Sequence, residues 1–263
     1  MPQSIWKGAI SFGLVSIPVK AYAATEERDV AFHQVHRGDG GRIRYQRTCT
    51  VCGETVAYAE IAKGYELPDG NSVILTDDDL ADLPLPSKRT IDVRSFVPAE
   101  QVDAMFFNRS YYLEPDSTGR KPYALLREAL DASGRAALVK VALRTREQLA
   151  LVRTHGDALV LETMLWPDEV RATDGLELPG DDVELRDDER AMAASLITAM
   201  SADFHPELFT DDYRAAVLSV IDAKVAGHEV VAAEPASEGG GVVDLMVALQ
   251  ASVDAARRAR ESA

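Results

Sequence analysis

Cysteine is almost absent from this chain of 263 residues: Cys49 and Cys52 are the only two. A pair so close in sequence cannot staple a domain of this size, and it reads instead as metal ligands or a redox pair in a reducing compartment. Long apolar runs are missing as well. No stretch approaches the ~18 uninterrupted apolar residues of a membrane-spanning helix, and residues 1–4 place no charged segment before an apolar one. A cytoplasmic protein with no membrane partner is expected. Basic charge is in deficit, with 28 Lys and Arg against 43 Asp and Glu and a net charge of −15, which taken whole argues against holding phosphates. The common catalytic signatures are missing too: there is no GxSxG, no P-loop, no GxGxxG and no HExxH. The acidic runs Asp77-Asp78-Asp79 and Asp187-Asp188-Glu189 fall at expected helix starts, where carboxylates complement the helix dipole, so they do not by themselves indicate a metal-dependent enzyme.

What is present is unevenly distributed. Residues 1–153 carry 20 basic and 20 acidic residues, so the remaining 8 basic and 23 acidic residues supply the whole negative balance. Within the neutral part, residues 120–153 hold eight basic residues against Glu128, Asp131 and Glu147. Such segregation suits a molecule with one face for a polyanion and another kept away from it.

Period-two patterning dominates the first two thirds of the chain. Trp6, Gly8, Ile10 and Phe12 share one face of a strand, and after a bend at Gly13 so do Val15, Ile17 and Val19, with Pro18 placing the second strand at an edge or rim. Arg37 to Arg47 passes a Gly-rich turn into an expected strand that projects Arg42 and Arg44 from one face and Ile43 and Tyr45 from the other. Two strands about the Pro68–Asn71 turn lead to a short helix capped by Thr76 and Asp79. Strands follow at 91–95 and 109–113. A helix opens near Pro122 and closes at Gly134, with Leu125, Leu126, Ala129 and Leu130 as its buried stripe. A three-strand meander over 137–144, 148–153 and 158–166 carries Lys140 and Arg144 on one face, with Arg146 at the turn. Beyond an acidic loop come helices at 188–201 and, with Thr210 as N-cap, 210–227. A linker over 231–241 precedes a last amphipathic helix with Val242, Met246, Leu249 and Val253 at helical spacing.

Two side-chain sets point to binding. His33 and His36, then 12 residues, then Cys49 and Cys52 supply the donors of one structural tetrahedral zinc site, and Gly53 lets the chain turn beneath a metal. The two basic ribbons suit backbone phosphates, while a helix equipped with Arg, Asn and Gln to read base edges is lacking.

The wording of several stretches is more specific than their pattern. SIWKGAISFGLVSIPVKAYAATEE, RYQRTCTVCGE, KGYEL with VILTDDDL, FNRSYYLEPD with KPYALLREAL, LALVR and MLWPDEVR together resemble the bacterial Ku family of non-homologous end joining. The resemblance implies an α+β fold, mainly β: a Ku-type β-barrel core over residues 1–230, with a strand-rich DNA-encircling bridge over roughly 25–110 and C-terminal helices at 188–227. It further implies a non-enzymatic, nucleoid-associated homodimeric ring threaded by double-stranded DNA ends, with Arg42, Arg44, Arg47, Lys88, Arg89, Lys140, Arg144 and Arg146 on its inner wall. No cofactor is required beyond the possible zinc. The tail, 242–263, resembles the segment by which bacterial Ku proteins engage the multifunctional ATP-dependent ligase of end joining, without a long Lys-rich extension. A zinc-containing sequence-specific regulator and a metal-dependent nuclease stand as the alternatives.

Overall fold

The alternation in the first twenty residues becomes the first hairpin of a closed seven-stranded barrel in the computed structural model, which describes residues 3–81, 83, 89–143, 146–180, 182–227 and 245–261. Strand β1 (Trp6–Phe12) turns through Gly13 and Leu14 into β2 (Val15–Ala23), with Phe12 opposite Val15. Further along the chain come β3 (Lys63–Glu66), β4 (Ser72–Leu75), α1 (Asp77–Ala81), β5 (Thr90–Pro98), β6 (Phe107–Pro115), α2 (Arg120–Ser133), β7 (Arg135–Leu143), β8 (Arg146–His155) and β9 (Ala158–Met164). The barrel runs β1-β2-β6-β9-β8-β7-β5, antiparallel throughout except where β5 closes onto β1 in parallel, Ile10 beside Ile91. Pro18 lies at the rim as its missing donor requires. Pairing of β2 with β6 begins only at Val19, and the Pro18 carbonyl accepts from the Asp116 N–H at 3.1 Å.

Alternate residues of the meander serve two cores. Ala137, Val139, Val141, Ala150 and Val152 join Ile10, Ile17, Ile91, Leu159 and Leu161 in the larger one. Ala136 and Leu151, one residue out of phase, pack with Met164, Val102 and Phe106 on the other face. Strands buried on both faces read as nearly continuous apolar runs, which is the wording of β7 and β9.

Helix α2 packs on β7 and β8 and ends at Gly134, whose φ of +61° suits glycine. Its phase differs from the expected stripe. Tyr123, Leu126 and Leu130 are the buried residues, while Leu125 is 60% exposed and Ala129 is exposed as well. The shift follows from Tyr123, which hydrogen-bonds into the barrel wall.

Two compact units divide the chain: Met1–Arg28 with His33–Ala172, and Asp29–Phe32 with Thr173–Ala263. The second holds α3 (Asp187–Met200), α4 (Asp212–Val225) and α5 (Leu245–Glu261). Asp211, rather than Thr210, caps α4 and accepts from the Arg214 N–H at 2.8 Å. No helix among the described residues is long and apolar enough to cross a membrane.

Candidate nucleic-acid interface

Between β2 and β5 the chain leaves the barrel for residues 24–89, a shorter excursion than the expected 25–110 because β5 and β6 are barrel staves. None of residues 24–80 is buried. The first part of this arm is two tight loops rather than the expected strand. Val35 bridges Arg42 and Thr48 bridges Thr55, with no ladder over 43–47 because no further strand pairs there. Hydrogen bonds from Ile43 N–H to Gln34 O (3.0 Å) and from Val56 N–H to Arg47 O (2.8 Å) fix the register. The second part is the β3–β4 hairpin, followed by α1 with the reciprocal Thr76–Asp79 cap.

Arg42, Arg44 and Arg47 are exposed on the arm. Arg42 and Arg44 make no ion pair with a described residue, and Arg47 lies 5.3 Å over the Tyr58 ring. Arg89 sits where the arm rejoins the barrel, and its carbonyl accepts from the Ala9 N–H at 3.1 Å. That approach explains Gly8: a Cβ there would lie 2.3 Å from the Arg89 carbonyl oxygen and 2.2 Å from the Trp6 ring. Trp6 is held in turn by its indole N–H on Ala142 O at 3.0 Å.

The meander's basic residues are differently placed. Lys140 pairs with Glu147 at 3.1 Å and lies 5.2 Å over Trp166, and Arg146 pairs with Glu169 at 3.0 Å. Both charges are already answered by carboxylates of β8 and of the turn after β9. Lys88 and Arg144 lie outside the described residues. Arg109, not singled out by the sequence, is exposed where β6 slips register between Phe107 and Ser110; its backbone is held by the Thr163 hydroxyl, while its guanidinium makes no ion pair with a described residue. With Thr25 and Asn108 it borders a depression of about 520 Å³. A register slip leaves no mark in a string such as FNRSYYLEPD, so Arg109 read as an ordinary polar strand position.

The structure separates the expected zinc donors. The Cys49 carbonyl accepts from the Gly53 N–H at 2.9 Å, and the Cys52 and Val51 N–H groups hold the Cys49 thiol below its usual pKa. That half suits a soft metal. His36 instead pairs with Asp39 at 3.0 Å, His33 is exposed, and no three His, Cys, Asp or Glu side chains are grouped for a metal among the described residues. As they stand, His33, His36, Cys49 and Cys52 do not form a zinc site.

In the tail, Val253 is 2% exposed, with Met246 and Leu249 half-buried, on a helix that packs against α3. The stripe expected to be free is therefore covered in large part within its own unit. Val242 lies outside the described residues.

Residues 11–192 match the family pattern of the Ku70/Ku80 beta-barrel domain, which takes in β2 to β9 and ends within α3. The chain belongs to the Ku family. It is 62% identical over 98% of its length to the non-homologous end joining protein Ku of Frankia casuarinae, of which it spans 65%. It is 51% identical to non-homologous end joining protein Ku 2 of Saccharopolyspora erythraea, covering 99% of this chain and 86% of that protein. The non-homologous end joining protein Ku of Mycolicibacterium smegmatis is 44% identical over 96% of this chain and 82% of its own. The closed barrel is thus a Ku barrel, and the arm over 24–89 is an excursion inside the matched region.

Proposed function

We propose that this chain binds the ends of double-stranded DNA without reading sequence, as a homodimer whose arms close a ring that a free end threads, and that it recruits the end-joining ligase. The observation that carries it is the arm. A Ku barrel sends out residues 24–89, none of which is buried as far as residue 80, with Arg42 and Arg44 exposed and unanswered. An arm with no core of its own needs something to close on, and exposed arginines on turns suit the phosphate backbone rather than base edges. Encirclement then lets a few such contacts hold DNA despite the acidic total.

The second copy is supported by α4, which buries none of its residues. The ligase is supported by the resemblance of VVDLMVALQASV in the tail to the family's ligase-binding segment. With Val253 already covered, engagement of that stripe requires α5 to leave α3. Titrating a linear duplex against the same sequence as a closed circle tests the reading. Preference for the linear form, at equal affinity across sequences and without cleavage, supports it, whereas equal binding to both forms overturns threading.

A further inference from the structure

The apolar stripe of α2 that the barrel leaves uncovered faces a second apolar wall. Leu125, 60% exposed, and Ala129 stand in water with Pro122 a turn before them, and across from them lie Phe12 and Val15 at the β1–β2 turn and Phe96 near the end of β5. Together they border a groove of about 590 Å³. Its floor is firm. Leu126 and Leu130 belong to the barrel core, and the Phe12 and Phe96 rings meet edge to face at 6.4 Å.

Polar groups are scarce in the groove, and the charged ones stand at its ends. Ser133 donates to Ala129 O at 2.7 Å, so its hydroxyl is spent on its own helix. Arg135 closes the end beyond Ser133; it donates to Phe96 O at 3.2 Å and makes no ion pair with a described residue. At the other end, beside Pro122, Lys121 is exposed and likewise pairs with no described carboxylate. Residues 117–136 carry Arg120, Lys121, Arg127 and Arg135 against Glu128 and Asp131, a local excess of positive charge in a chain of net charge −15.

These dimensions and charges select the occupant. From Pro122 to Ser133 the groove follows α2 for about 16 Å, three turns of helix. A wall of that length, small at Ala129 and Ser133 where a second helix can come close, takes the apolar face of an amphipathic helix. A cation at each end favours acidic residues at each end of that helix. Duplex DNA, by contrast, would leave the apolar lining unfilled. The groove also lies at the end of the barrel where β1 turns into β2, whereas the arm leaves after β2 and returns before β5 at the opposite end. It stays open while the arm is engaged.

We infer that this groove receives an acidic amphipathic helix of another protein, its apolar residues against Phe12, Phe96 and Leu125 and its carboxylates on Lys121 and Arg135. The inference goes beyond end binding and does not depend on it.

The test selects peptides of about 16 residues from a random display library against the full chain, with Leu125→Asp as the counter-target. Enriched sequences are expected to carry apolar residues at helical spacing between Asp or Glu residues, and one of them, labelled, should bind Leu125→Asp about tenfold more weakly. Since Leu125 is exposed, that variant should keep the native melting temperature and affinity for duplex. Lys121→Glu/Arg135→Glu should weaken the acidic peptide and prefer a copy of it with Lys in place of its acids; this charge reversal decides alone if Leu125→Asp melts early. Adding linear duplex should leave the peptide's affinity unchanged. Enrichment without this pattern overturns the inference, as does a peptide that binds either variant as tightly as the native protein. Displacement of the peptide by duplex overturns it as well, because DNA then holds the groove. So does a Leu125→Asp protein that sediments as a smaller species than the native one, because the groove then covers a second copy.

Discussion

The hydroxyl of Tyr123 accepts from the backbone N–H of Leu159 at 2.6 Å, and it donates to Leu113 O at 2.8 Å. Leu113 and Leu159 face each other at the last pairing of β6 with β9, so a side chain of α2 completes the barrel wall. Tyr123→Phe leaves the Leu159 N–H buried without its acceptor and should destabilise the protein by about 2 kcal/mol, read as a lower denaturation midpoint at unchanged slope. Burial raises the phenol above its usual pKa of 10.0. The folded state therefore holds that proton more tightly than the unfolded chain, a stabilisation complete below the unfolded value and lost as pH climbs through the folded one. The native protein should lose stability above about pH 10 by a contribution that the Phe variant lacks. Identical alkaline profiles for the two proteins would discount it.

Gly8 is fixed by what crowds it. In Gly8→Ala the new methyl meets the Arg89 carbonyl at 2.3 Å and the Trp6 ring at 2.2 Å, so the ring must leave or the β1–β5 closure must open. A cost of about 2–3 kcal/mol is expected. Trp6 fluorescence should shift to the red as the bond to Ala142 O is lost. An unchanged melting temperature would show that the closure yields without cost.

The two basic groups predict unequal effects on DNA binding. Arg42→Ala/Arg44→Ala removes unanswered charges, so affinity should fall for every sequence alike and the salt dependence should flatten by about one unit of slope per lost contact. Lys140→Ala and Arg146→Ala remove charges already paired with Glu147 and Glu169, and each should alter the slope by less. Titrations at several salt concentrations decide the order, and larger losses from the meander variants would move the DNA path onto the barrel.

That contrast marks where the sequence was legible. Alternation in β1, β2 and the meander is a local property read residue by residue, and the turns at Gly13 and Gly156 are fixed by their own chemistry, so the barrel hairpins fell where the pattern put them. Partnership across the fold is not local. Lys140 stands opposite Leu149, which brings Glu147 to it on the diagonal, and Glu169 reaches Arg146 from beyond β9. The phase of α2 likewise depended on acceptors and donors in β6 and β9. The arm's expected strand failed for the same reason: an alternating stretch forms a ladder only where a neighbour pairs with it, and over 43–47 none does.

The last prediction concerns the second copy. Helix α4 is well capped by Asp211 yet has no fully buried residue; Val217 and Ile221 are half-buried, while Leu218 remains 47% exposed, with Val220 and Val225 also exposed. A helix with such exposed apolar residues is a surface awaiting cover, and across a two-fold axis every contact is made twice. Burying one such leucine contributes about 2 kcal/mol, so Leu218→Lys should weaken a dimer by roughly twice that while the Asp211 cap keeps α4 formed. Sedimentation should move from a two-chain species towards 28.6 kDa, with helix content unchanged. Since one arm cannot close a ring, the same variant should also lose its preference for linear over circular duplex. A variant that stays dimeric with that preference intact would place the interface elsewhere, and one that turns monomeric yet still prefers ends would dispense with the ring.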